Sequence, residues 1–232
     1  RIVTEQLAKA CTHGLPLNRS EASGLAKFAD YVSHESDILS GPQGAKHKEY
    51  WTDRLKDLPA SLTMPIRGVR PATPSFKGER VVSRYDKELV VQLSKIASRI
   101  GVTPYALMLT AFKTLLTHYT GQTDIVVLTP VSVRPFKDFT DTVGYFVNMV
   151  PIRTEVLSTL TFEQAAKRVR DASFAAIEHG DYPLSRILEI LHGLGISHAS
   201  SILEVTFYYQ NWVDQQLSDS PIFEGASKEV AQ

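Results

Sequence analysis

Residues 124–153 read Asp-Ile-Val-Val-Leu-Thr-Pro-Val-Ser-Val-Arg-Pro-Phe-Lys-Asp-Phe-Thr-Asp-Thr-Val-Gly-Tyr-Phe-Val-Asn-Met-Val-Pro-Ile-Arg, and the fold is organised around them. The apolar run Ile125 to Leu128 stops at Thr129-Pro130, as a buried strand does. A polar loop carrying Arg134 follows, and Gly144 opens a second strand of β-rich composition. A regular strand places Phe146, Asn148, Val150 and Ile152 on one face and Tyr145, Val147 and Met149 on the other. Asn148 thus falls in an apolar row. An unpartnered amide there costs about 1–3 kcal/mol. It must bond either a neighbouring backbone or a ligand or reacting group in a channel beside the strand.

Helical spacing surrounds this core. Residues 2–12 show it loosely. Residues 25–39 carry Leu25, Phe28, Ala29 and Val32 on one face, with Asp30 and Glu35 on the polar edge, and Gly41-Pro42 closes the segment. A second helix over about 43–57 turns Tyr50, Trp51 and Leu55 inward. The stretch from Pro59 to Pro74 is rich in proline and reads as an extended connector. Arg80 to Tyr85 suggests a short strand. Asp86 then caps a helix with Leu89, Leu93, Ile96, Ala97 and Ile100 in one stripe, closed by Gly101. Thr103-Pro104 starts another, apolar nearly all round to about Tyr119 and therefore expected to be buried on most sides. Thr161 and Gln164 form a capping box before a stripe of Phe162, Ala165, Ala166, Val169, Ala172 and Ala176. Pro183 starts a shorter helix through Leu191, and Ile202 to Tyr209 alternates as a strand. The sum is a mixed sheet flanked by helices, α/β or α+β.

The totals exclude several function classes. With 25 basic against 25 acidic residues there is no electrostatic footprint for nucleic acid, and no membrane-length apolar run is present. The one cysteine, Cys11, rules out an internal disulfide and points to a reducing cytoplasm. No metal-ligand spacing or phosphate-cradling glycine loop is found. His179 with Asp181 would make an acid–base pair, but a histidine at a helix end meeting the last carbonyls explains the spacing more simply. Ser132 lacks the G-x-S-x-G context of a nucleophile. Arg134 fits either a surface ion pair or a tether across an interface, and Tyr208, Tyr209 and Trp212 read as an aromatic packing cluster.

Val143-Gly-Tyr-Phe-Val-Asn-Met-Val-Pro-Ile-Arg153 resembles the "(I/V)GxFVNT…R" motif of condensation domains in nonribosomal peptide synthetases. Leu128-Thr-Pro-Val-Ser-Val-Arg134 is similar to that family's "GTPvaGR" segment. Phe28-Ala-Asp-Tyr-Val32 resembles "YxDYA", and His179-Gly-Asp-Tyr-Pro183 resembles "HQDYPFE", with Gly180 for the usual Gln and Ser185 for the usual Glu. Tyr50-Trp51, Thr117 to Asp124 and Gln210-Asn211 fall in the family's order. The match spans about Leu25 to Asn211. The "RDxSRNPL" motif fits poorly, with Ala199 at its second arginine and Ser201 at its proline.

The resemblance implies two chloramphenicol acetyltransferase-like lobes in a V, with the active site in a tunnel between them. Its catalytic HHxxxDG signature is absent, since no two of the seven histidines are adjacent. The chain is therefore expected to be the C-terminal lobe of such a domain. Residues 1–58 would be a helical segment linking from a missing N-terminal lobe, 59–76 a connector, and 77–232 the lobe itself, incomplete at its end. No catalytic residue is assigned. Asn148, Ser132 and Arg134 are the candidates for the substrate-tunnel wall. The implied reaction is amide formation between a donor acyl or peptidyl thioester and an acceptor amine. The implied partners are donor and acceptor carrier proteins and the N-terminal lobe. No cofactor is bound directly; the carriers' phosphopantetheine arms bring the substrates. An epimerization or cyclization domain, a coenzyme A-dependent acyltransferase of the same superfamily, and a non-catalytic carrier-protein docking module remain as alternatives.

Overall fold

The computed structural model of the chain describes residues 26–65, 78–134 and 139–210. The expectations for residues 2–12, for Cys11, for the later part of the proline-rich connector, and for Asn211 and Trp212 lie outside them. The helices are α1 (Phe28–Ser40), α2 (Pro42–Leu55), α3 (Lys87–Ile100), α4 (Pro104–Thr120), α5 (Phe162–Glu178) and α6 (Leu184–Gly193). The strands are β1 (Asp124–Ser132) and β2 (Val147–Glu155), and a 3-10 turn covers Ala199–Leu203.

Capping chemistry sets most helix ends. Asp86 accepts from the Leu89 amide at 2.7 Å and starts α3, and Gly101 ends it at a φ of 73°, where a Cβ would be strained. Thr103 accepts from the Ala106 amide at 3.1 Å with proline at the first position of α4. Thr161 and Gln164 bond each other's backbone amides at the start of α5.

The chain forms two compact units. One takes Arg1–Pro42, Ser132–Val147 and Tyr208–Gln232; the other takes Gln43–Val131 and Asn148–Phe207. In the first, Phe28 and Tyr31 of α1 pack on Phe146 with ring centroids 5.3 and 4.8 Å away, and Phe139 joins them. A Cβ on Gly144 would stand 2.2 Å from the Phe28 ring, so only glycine admits this approach. In the second unit, Trp51, Leu55, Leu109, Ile125, Val127, Ile152, Ile187 and Leu191 are fully or almost fully buried.

β1 and β2 pair, and their hydrogen bonds show the direction. Val156 donates to Thr123 and Val133 donates to Phe146, so one chain number falls as the other rises and the strands are antiparallel. On the other side of β1, Leu128 bridges in parallel to Thr206. The Leu128 amide points there, to the Val205 carbonyl at 2.9 Å. Pro130, two residues on, points its nitrogen the same way, where the bridge has ended. It therefore removes no donor from the β2 ladder, which explains why β1 runs through the proline instead of stopping at it.

Other expectations are corrected. Residues 80–85 form no strand: Val81 is 90 % exposed, and nothing among the described residues pairs with the segment. β2 begins at Val147, three residues after Gly144, because the preceding residues are committed to the turn under the α1 aromatics. Over 202–209 the chain makes a 3-10 turn and one bridge, not a strand. Helix α4 also departs from the expected all-round burial. Leu115 and Tyr119 face outward, whereas Thr110 and Lys113 are wholly buried.

Lys113 is buried because its ammonium finds three oxygens: the Ile125 carbonyl at 2.9 Å, the Ile152 carbonyl at 2.7 Å and the Thr154 hydroxyl at 2.6 Å. It ties α4 to both strands. Burial pulls the group down from its usual 10.5 to about 7, with Asp124 working in the opposite direction. The unfolded chain thus holds more protons than the folded one between pH 7 and 10.5, so this group makes stability rise with pH across that window. The expected slope is up to about 1.4 kcal/mol per pH unit. Urea unfolding at pH 6, 8 and 9.5 should show that rise in the wild type and a flatter curve in Lys113→Met. Parallel curves would contradict it.

Candidate functional site

The end of α5 poses a hydrogen-bonding problem. A helix terminus leaves carbonyls without intrahelical partners, and the start of the next helix leaves amides. The turn His179-Gly-Asp-Tyr-Pro183 joins α5 to α6, and Gly180 does not adopt the positive φ that would close it with backbone bonds alone. Side chains close it instead. The Asn148 amide nitrogen donates to the Gly180 and Tyr182 carbonyls, both at 2.8 Å. Its oxygen accepts from the Leu184 amide at 3.1 Å and from the Met149 amide at 2.9 Å. An asparagine has two donors and two acceptor sites, and all are used. From α2, the Trp51 indole donates to the His179 carbonyl at 3.1 Å.

Of the two kinds of partner open to Asn148, a neighbouring backbone is the one it bonds. The His179 ring does not meet the last carbonyls of α5. Its Nδ1 lies 2.7 Å from Nδ1 of His47, and Tyr50 stacks on it at 3.9 Å with the planes 6° apart. Burial lowers the pKa of both imidazoles below the usual value, and Asp181 and Glu178 act against it at His47. Arg134 donates to the Phe139 carbonyl and to the Thr142 carbonyl at 3.1 Å, and its guanidinium lies 3.9 Å over the Phe146 ring. Among the described residues it holds Phe139 and Thr142 and joins no ion pair. Ser132 is exposed at the end of β1. Tyr208 and Tyr209 are exposed too.

Two features escaped the sequence reading. His47 is one helical turn before Trp51, and two before Leu55, so the inward face already implied it. The ion pair of Asp124 with Arg153 joins the two ends of the stretch quoted at the outset, at 2.7 Å. Arg153 also donates to the Arg54 and Asp57 carbonyls at 3.0 and 2.5 Å. Asp124, Arg153, Arg54 and Tyr50 line a cleft of about 630 Å³.

If Asn148 is the clamp, Asn148→Ala should lower stability by about 1–3 kcal/mol, because two carbonyls and the Leu184 amide lose their partner. Urea unfolding of the two proteins measures it. A difference below about 0.5 kcal/mol, the level of an ordinary surface substitution, would show that the turn closes without it.

Comparison with known proteins shows the family. The condensation-domain profile matches residues 1–230. Surfactin synthase subunit 2 of Bacillus subtilis (strain 168) is 37 % identical over 166 residues, covering 72 % of this chain and 5 % of that protein. The chain therefore spans only a small part of the synthetases it matches. Among solved structures, the X-domain from teicoplanin biosynthesis superposes with a TM-score of 0.65 at 28 % identity, over 71 % of this chain and 38 % of that one. The same X-domain has been solved in complex with OxyB. The first condensation domain of the calcium-dependent antibiotic synthetase has a TM-score of 0.67 over 92 % of this chain and 46 % of its own, and at 19 % identity it speaks for the fold alone. That fold is chloramphenicol acetyltransferase-like. The chain belongs to the condensation-domain family of the nonribosomal peptide synthetases.

Proposed function

We propose that this chain is part of a condensation domain that joins a donor acyl or peptidyl thioester to an acceptor amine, each carried on the phosphopantetheine arm of a carrier protein. The observation that carries the reading is the profile match over residues 1–230, within which the family's strand motif and its His-Gly-Asp-Tyr-Pro turn meet through Asn148. In the reaction, the amine nitrogen forms a bond to the thioester carbonyl carbon and the carbon–sulfur bond breaks. The proton shed by the amine ends on the released thiol. Holding the two arms in register supplies much of the rate, because a bimolecular encounter becomes a local one. Ser132, Arg134 and Asn148 stand along the substrate tunnel in this proposal, Asn148 through the turn that it fixes and Arg134 through its loop.

The 232 residues contain no HHxxxDG signature, so the reading requires this chain to act together with a lobe that carries it. Partners would then be that lobe and the two carrier proteins, in the cytoplasm. A second reading draws on the X-domain solved with OxyB: a module that recruits a protein partner without making bonds itself.

The test compares the 232-residue chain with its parent polypeptide, each incubated with donor- and acceptor-loaded carrier proteins. The chain alone should yield no amide product above the uncatalysed background, and the parent should yield it catalytically. Turnover by the chain alone would overturn the need for the second lobe. Carrier binding by the parent without product would favour the recruiting module.

A further inference from the structure

The contact between His47 and His179 has no part in the proposed reaction, yet it is built with care. A hydrogen bond between two ring nitrogens at 2.7 Å needs one donor and one acceptor. Nε2 of His47 is buried without a partner. An unbonded N–H is rarer and more costly in a protein interior than an unbonded acceptor. His47 therefore carries its proton on Nδ1 and donates, and His179 accepts at Nδ1 and carries its proton on Nε2. The rings cross at 89°, with Tyr50 stacked on the outer face of His179. Tyr50 is in turn a wall of the 630 Å³ cleft.

We propose that His47 and His179 form an acid-sensitive latch, which holds α2 to the turn clamped by Asn148 and opens when both rings are protonated. The first added proton keeps the shared bond only if it goes to Nε2 of His47, where it makes an unpartnered buried N–H, so burial resists even this step although the charge strengthens the bond. A second must go to Nδ1 of His179, where two N–H groups would face each other across 2.7 Å. The charged groups acting on the pair are Glu178 of α5, on both rings, and Asp181 of the turn, on His47, while Tyr50 of α2 stacks on His179 and itself feels Arg54. The carboxylates favour the protonated rings, but burial outweighs them and holds both imidazoles below the ordinary value of 6.5. With folded values below the unfolded one, the latch contributes stability that is present above pH 6.5 and lost as pH falls through the folded values.

The test is a long-range proton–nitrogen correlation titration of the full chain, labelled at histidine nitrogen, from pH 7.5 to 4.5. The latch requires opposite tautomers on the two rings and coupled titrations below 6.5. A companion urea series compares the wild type with His47→Gln, whose amide can still donate to His179 but cannot titrate. The wild-type midpoint should fall more steeply between pH 6.5 and 5 than the variant's. Matching tautomers, independent titration near 6.5, or parallel midpoints would each overturn the latch. The wild-type spectra decide the matter even if the variant does not fold.

Discussion

One primary amide determines how two helices and a strand meet. The Asn148 side chain fills every hydrogen-bonding position it has with the backbone of a single turn and its own neighbour. The need arises from the helices, not from the strand: α5 ends without a left-handed glycine, and α6 begins with amides that no preceding turn can satisfy. An apolar residue of similar size at 148 would leave buried polar groups unpaired, each at a cost of about 1–3 kcal/mol. Because donors and acceptors must both match, only one placement of the turn against β2 satisfies them all. Trp51 and His47 of α2 then engage the same turn from a different element.

A similar logic holds the strands. Two strands alone are marginal in water, and here polar side chains reinforce the pair. Lys113 bonds carbonyls of both strands from α4, and Asp124 with Arg153 binds the start of β1 to the end of β2. Arg153 continues to the carbonyls at the end of α2. Such groups add little if replaced as a set by well-packed apolar residues, but removing one partner alone leaves a buried charge and is strongly destabilising. Their value lies in register: each fixes which residue stands opposite which.

What could be read from the chain beforehand follows from the range of the physics involved. Caps are local, so Asp86, Thr103 and Thr161 located their helices within a residue or two. The apolar run of β1 was equally plain. Asn148 was recognisable as a residue in need of partners, although its partners in the turn lie more than thirty residues away and carry no local signal. Val81 and Val82 have strand composition without a neighbour to pair with, and composition cannot supply one. Nothing local in the sequence marked Lys113 for burial, because the three oxygens that hold it come from the two strands. The histidine pair depends on two rings separated by 132 positions, and only the inward periodicity of α2 hinted at half of it.

The central claim is that the Asn148 side chain, and not packing alone, fixes the turn between α5 and α6. Native-state hydrogen exchange of the Leu184 amide tests it most directly, because that amide lies at a helix start and has Asn148 as its acceptor. The account predicts that Leu184 is as protected as amides in the interior of α6 in the wild type, and that Asn148→Ala releases it while the middle of α5 stays protected. A Leu184 amide that exchanges at the free-chain rate in the wild type, or one that remains equally protected in the variant, would contradict it.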